Sequence, residues 1–256
     1  MLRGSALMHA ITADERAEPL YSDLGAEARG VGPWLIDGSF AIELDQLPLP
    51  GRLGISRWQT DAGLKELLEH AKAIRHLQTD DGQSFYLRYA DTRVLDAVKT
   101  ALPEGMQATV QGPLLHWTWL DRDMQPARFL AAGRERAHTR ALKLTTAQFE
   151  SLLAAGLPDR LALMLEELNE PELRNLHHAS AFVPIRAAAA FLRENHIEAF
   201  SFQRAIARQA VLTGGAALRS DEFMAAVSAV MNGSAAIGVI DAWVPRQTTG
   251  IEVANG

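Results

Sequence analysis

The chain holds 256 residues, 48% of them hydrophobic and 22% charged, the balance of an ordinary globular protein, which excludes a mainly disordered or fibrous chain. It has no cysteine, so disulfides, thiolate nucleophiles, iron–sulfur ligation and cysteine-based zinc sites are excluded. With 25 Lys and Arg against 31 Asp and Glu the net charge is −6, which gives no general attraction to nucleic acid or anionic lipid and favours protein or small neutral partners.

In chain order, Arg3 followed by Ala6-Leu7-Met8-His9-Ala10-Ile11 imitates a short signal peptide, but His9 interrupts the run and Asp14-Glu15 follow at once, so the stretch reads as a first strand. Pro33-Trp34-Leu35-Ile36 and Gly54-Ile55-Ser56-Arg57-Trp58 read as strands bounded by Gly and Pro. Asp61 is placed to cap a helix whose Leu64, Leu67, Leu68, Ala71 and Ile74 recur at helical spacing. His76–Thr79 and Ser84–Tyr89 flank Asp80-Asp81-Gly82, where Gly82 supplies the positive φ of a tight hairpin turn. Asp91 is an N-cap for a helix carrying Val94, Leu95, Val98 and Leu102 and stopped by Pro103. Leu114–Trp119 is a final strand whose alternation puts Trp117 and Trp119 on one face.

Beyond residue 121 the pattern becomes alanine- and leucine-rich with helical periods. Thr145 and Gln148 form a capping box. Leu157, Leu161, Leu165 and Leu168 make a stripe, and Pro184 suits the first turn of a helix through Ile185, Ala188, Ala189 and Leu192. Phe202, Ile206 and Ala210 follow, then Phe223, Val227 and Val230 with Gly233 as a C-terminal cap. The predicted class is α+β or α/β: an N-terminal mixed-sheet lobe with flanking helices (1–122), a linker or bridging helix (123–144), an all-helical lobe of about five to seven helices (145–245), and a flexible tail (246–256). No apolar run approaches the roughly 20 residues that span a bilayer.

The chain carries no Walker loop, nucleophile elbow, His-Glu-x-x-His or EF-hand loop. Gly30-Val31-Gly32 leads into Pro33 and a strand, so it lacks the helix N-terminus a phosphate needs. His177 and His178 are adjacent on a helix with rings about 100° apart, which disfavours shared ligation. His116 reads as a half-buried strand histidine, and His70 and His76 as flanking a helix end. Arg134, Arg136, Arg140 and Lys143 lack the interleaved aromatics of a nucleic-acid patch. Glu166, Glu167, Glu170 and Glu172 read as a solvated acidic face, or as a docking face for a basic partner. These residues imply no cofactor, metal or catalytic site.

One resemblance adds to this. Gly32-Pro33-Trp34-Leu35-Ile36-Asp37, Gly54–Trp58, Leu67-Leu68-Glu69-His70, Asp81-Gly82-Gln83, Phe85 through Leu95, and Gly112-Pro113 before Trp117 together resemble the shared domain of type VI secretion effector adaptor/chaperone proteins, the Tap/TEC group. The most specific piece is the strand-to-helix junction Arg88-Tyr89-Ala90-Asp91-Thr92-Arg93, where family members usually carry Asp-Pro-Arg and this chain has Thr92 for the proline. Both residues are acceptable at a helix start. The resemblance covers the first half of the chain, and a variable helical second lobe is also similar to the family. It implies a cytoplasmic, non-enzymatic adaptor that binds a secreted effector protein and helps load it onto the VgrG spike protein, without nucleic acid, membrane or cofactor.

The competing classes are a regulatory or small-ligand-binding module using an inter-lobe cleft and an enzyme with an unrecognised acid–base pair. A chaperone needs an exposed apolar groove, expected between the first lobe's sheet and the facing helices of the second. Trp117 or Trp119 is the expected anchor there, because aromatics commonly dominate binding hot spots. Glu166 and Glu170 are the alternative docking residues.

Overall fold

The computed structural model describes residues 17–21, 23, 32–36, 54–129, 141–173, 176 and 179–243. The strand read at Ala6–Ile11, the Gly30-Val31 loop, Asp37, Arg134, Arg136, Arg140, the His177-His178 pair and the tail from 246 lie outside the described residues. The fold is α+β, and the chain divides into two compact units, Met1–Gly156 and Leu157–Gly256.

In the first unit the described elements run β1 (Glu18–Pro19), β2 (Trp34–Leu35), β3 (Ser56–Gln59), α1 (Leu64–Ile74), β4 (His76–Thr79), β5 (Ser84–Tyr86), α2 (Thr92–Ala101), α3 (Glu104–Gln111), β6 (His116–Leu120), β7 (Pro126–Arg128), β8 (Leu142–Leu144) and α4 (Thr146–Ala155). They form an antiparallel β1–β2 pair and two three-stranded sheets, β3-β6-β7 and β5-β4-β8. The second sheet is mixed, with β4 antiparallel to β5 and parallel to β8. Strand alternation sets the core: Leu77, Leu142 and Leu144 face inward, as do Trp117 and Trp119 on β6.

Several boundaries differ from the sequence reading for identifiable reasons. Helix α1 is capped at Gly63 with no side-chain bond, so its first turn begins two residues beyond Asp61, which is not its cap; ahead of it the Thr60 hydroxyl accepts from the Ala62 amide and donates to the Pro113 carbonyl, each at 2.9 Å. Pro103 both ends one helix and, in an extended conformation, starts α3, which the sequence reading missed. The stretch 123–144 holds strands β7 and β8 in its described parts rather than a helix or free linker. Asp121 makes the β6–β7 turn, its carboxylate accepting from the amides of Asp123 and Gln125 at 2.9 Å. The expected capping box on α4 is present, but α4 belongs to the first unit, where Phe149 stacks on Phe85 with centroids 4.3 Å apart and Thr146 donates to Asp80 at 2.7 Å.

The second unit contains α5 (Leu157–Glu166), α6 (Ala179–Glu194), α7 (Phe200–Leu212), α8 (Asp221–Met231) and α9 (Gly238–Asp241), with 3-10 turns at Pro171–Leu173 and Ala217–Arg219. Its core joins the stripes expected of it: Leu157, Leu161 and Leu165; Ile185, Ala188 and Leu192; Phe202, Ile206 and Ala210; Phe223 and Val227. Gly233, at φ +76°, closes α8, as expected. Pro184 sits inside α6 instead of in its first turn, so the helix runs through a position that cannot donate to the preceding turn. Two glutamines bind helix ends here, Gln203 donating to the Ile197 carbonyl at 2.9 Å and Gln209 to that of Asp241 at 2.8 Å.

His70 is mid-helix and fully buried, not at a helix end, and its Nε2 donates to the Val110 carbonyl at 2.9 Å. Gly112 ends α3 at φ +54°, and a Cβ there would lie 2.2 Å from His70 Cε1. Gly112→Ala therefore combines backbone strain with a ring clash in a packed core, and is expected to lose roughly 2–4 kcal/mol of stability. Denaturant unfolding of the variant checks this; wild-type stability would mean that the close approach does not exist.

Candidate partner-binding surfaces

The hairpin-to-helix junction is built as the sequence suggested. Gly82 takes φ +84° in the turn, and the hairpin continues to Leu87, whose amide donates to the Arg75 carbonyl at 2.8 Å. Asp91 adopts an extended conformation and caps α2, accepting from the Arg93 amide at 3.2 Å. The Arg93 guanidinium folds back onto the same carboxylate, with Nε 2.6 Å from Oδ1 and Nη2 paired to Oδ2. Thr92 is fully buried at the first helical position. Of the six residues from Arg88 to Arg93 only Arg88 is exposed. Tyr89 is 1% exposed, and burial pushes its phenol pKa up; its hydroxyl has no hydrogen-bond partner among the described residues.

Trp117 and Trp119 are 1% and 3% exposed, so neither offers the exposed ring that the anchoring role requires. Trp117 is enclosed by Trp58, Tyr89 and Phe129, with centroids 5.0, 6.0 and 5.7 Å away. Trp119 stacks on Phe129 at 4.9 Å and donates its indole N–H to Asp96 at 2.6 Å. Period-two alternation placed both rings on one face; that this face is the covered one follows from the sheet's packing. Asp96 is in turn mostly buried, which pushes its carboxyl up to about 6, aided by the charge of Asp121 and opposed by the Trp119 bond.

The sequence reading passed over Arg75. It is 1% exposed, and its guanidinium clasps the Asp23 carboxylate, Nη1 at 3.1 Å from Oδ1 and Nη2 at 2.5 Å from Oδ2. The Tyr21 ring lies 5.1 Å from the guanidinium carbon and the Tyr86 ring 6.0 Å. The hydrogen bond from Arg75 holds the Asp23 carboxyl below its ordinary range. The signal was readable: Leu67, Ala71 and Arg75 follow one another at four-residue spacing, which places a cation on the apolar stripe where it needs a partner.

In the second unit, Glu170 is not a free docking carboxylate. Arg208 binds it through Nη2 at 2.7 Å and Nε at 2.9 and 3.0 Å, tying the segment after α5 to α7. Glu166 is half-buried at the end of α5. His116 is exposed on β6, not half-buried.

What remains open is different. In the first unit, Tyr86 is 60% exposed beside an open depression of about 610 Å³ lined by Lys72, Arg75, His76, Gln78 and Ser84. In the second, Phe200 and Met231 are exposed, and a depression of about 470 Å³ lies among His196, Ile197, Phe202 and Val230. No helix among the described residues is long and apolar enough to cross a membrane.

Residues 4–108 match the model of a family described as a domain of unknown function, DUF4123. No curated protein and no solved structure matches the chain. The match includes the Arg88–Arg93 junction and the Asp23–Arg75 pair, and ends within α3.

Losing the α2 cap is expected to cost about 0.5–2 kcal/mol in Asp91→Ala, and less in Asp91→Asn, which keeps an accepting oxygen. Thermal melts of both variants rank them; equal loss would dissociate stability from the cap. Asp96 provides a second test. Its folded carboxyl is held at about 6, above the unfolded value of about 4, so the folded state keeps a proton that the unfolded chain releases. This contribution to stability is present below about pH 4 and is lost as pH rises to about 6. Asp96→Asn is expected to flatten the melting temperature across that window and to raise it relative to wild type at higher pH. An unchanged pH slope in the variant would assign the proton elsewhere.

Proposed function

We propose that this protein is a non-enzymatic adaptor/chaperone that acts in the cytoplasm, binding a type VI secretion effector and helping to load it onto the VgrG spike. The observation that carries this reading is the DUF4123 match over residues 4–108, a domain known in type VI effector adaptors. The motif quoted for the resemblance, Arg88 to Arg93, lies inside that match.

The geometry is compatible with the role in a specific way. The motif's polar groups are spent on the fold: Asp91 and Arg93 bind each other and cap α2, while Tyr89 fills the aromatic core. Such a motif builds a scaffold, and the scaffold binds through what it leaves outside, which here includes exposed aromatics on both units. Binding by exposed aromatic anchors is the usual economy of a protein interface.

The test is affinity capture with the tagged full-length chain from its native cell, followed by mass spectrometry, together with deletion of its gene. Recovery of a spike protein and a candidate toxin, and loss of that toxin from the secreted fraction on deletion, are expected. Unchanged secretion after deletion would sink the reading. In the same assay Asp91→Ala should lower capture only in step with its loss of folded protein, because the residue is a cap and not a contact.

A further inference from the structure

We infer that the uncharged outer face of α8, together with the start of α7, is a docking surface for a second copy of this chain. The proposal lies wholly in the second unit and goes beyond the adaptor reading: it assigns Phe200 to self-association and leaves Tyr86 of the first unit outside it.

The composition of the face sets it apart. A helix side turned to water normally carries charge. Every other described helix of ten residues or more has a charged residue beyond its first turn: Lys72 on α1, Lys99 on α2, Glu150 on α4, Glu166 on α5, Arg193 on α6 and Arg208 on α7. From Phe223 through Ile240 there is none. Phe223 and Val227 turn into the core, while Ala225, Ser228 and Met231 are exposed on the other side of α8.

The end of this face is apolar and shaped. Met231 is 52% exposed, Phe200 60% and Val239 47%. Met231 lines the depression of about 470 Å³, whose wall also includes Ala199 and Ser201, the chain neighbours of Phe200, and Ile237, which shortly precedes Val239. An exposed phenyl ring and an open recess therefore stand side by side.

The occupant follows from symmetry and charge. Two copies related by a two-fold axis bring the same patch against itself, so any net charge on the patch opposes itself. On a chain of net charge −6 an uncharged face escapes this repulsion, and it offers a charged partner nothing to pair with. The acids at its margins each have a basic neighbour. Glu198 shares the depression with His196, Asp241 acts on Arg208, Glu194 follows Arg193, and Asp221 and Glu222 follow Arg219. A two-fold interface also requires one patch to hold both a projection and a recess. Phe200 and the depression meet that requirement, and their exchange between copies buries two aromatic rings of the kind that anchor interfaces. The rim, with one imidazole and one carboxylate, is self-complementary as well.

The experiment measures the molar mass of the full-length chain by sedimentation equilibrium over a range of concentrations. The mass is expected to rise from that of one chain, 27.9 kDa, toward that of two as concentration increases. Phe200→Glu and Met231→Glu, each placing a charge on an exposed part of the patch, should weaken association by about tenfold or more. Val183→Glu is the control: Val183 is 59% exposed near the opposite end of α6 from His196, and its variant should associate like wild type. Should a glutamate variant fail to fold, Met231→Cys gives the chain its only thiol, and a bulky maleimide added to the folded protein should dissociate the dimer. A single chain mass at every concentration overturns the proposal and leaves the face to a different apolar partner. A dimer indifferent to the changes at both Phe200 and Met231 overturns the placement, and equal loss in Val183→Glu reduces the association to general stickiness and overturns it too. None of these outcomes bears on capture of an effector or a spike protein, so the adaptor reading stands or falls separately.

Discussion

The first unit depends on the burial of one indole. Among the described residues Trp117 is the largest fully buried side chain, and β6 cannot present it inward unless other segments supply a lid. Trp58 comes from the paired strand β3, Tyr89 from the junction before α2, and Phe129 from the segment after β7. Each of these rings removes apolar area from water only when the others are present, so the sheet, the hairpin and the helix start are stabilised together. The next inward residue on β6, Trp119, extends the arrangement by binding Asp96 on α2. A carboxylate is thereby drawn into the interior, and its proton affinity becomes part of the stability of the unit.

Around that core, polar groups close what the apolar groups cannot. His70 satisfies the Val110 carbonyl and leaves room only for a glycine at 112. Gln107 donates to the carbonyls of Lys99 and Leu102 at 2.9 and 2.8 Å, and Gln111 to that of Leu114 at 2.9 Å, so α3 is held through the ends of its neighbours. The second unit repeats this device with Gln203 and Gln209. Buried amides suit the task because they carry hydrogen bonds without the desolvation cost of a charge. Arg75 is one exception, a buried charge made tolerable by a clasped carboxylate and two tyrosine rings.

These features separate building from binding in the first unit. Residues that stood out as a motif, Tyr89, Asp91 and Arg93, are consumed internally, and the tryptophans are covered. What stays exposed in the first unit is plainer in sequence, Tyr86 on a three-residue strand, Arg88 at the start of the junction and Lys143 on β8.

The sequence by itself determined much of the local structure. The Asp91 cap, the Thr145–Gln148 capping box, the Gly82 turn, the Gly233 stop and the apolar stripes of the second unit each depend on neighbours within a few residues, and they stand as read. It also placed Trp117 and Trp119 on one face, since strand alternation is a backbone property. Only the tertiary structure decided which face was covered, that β8 pairs with β4 across more than sixty intervening residues, and that α4 packs with the first unit. Those outcomes depend on the shape and apolar area of segments distant in the chain, and on partners such as Asp23 for Arg75, which no local periodicity encodes. The same reason explains Glu170: as a sequence it was one acid in a run of four, and only the approach of α7 brought Arg208 to it.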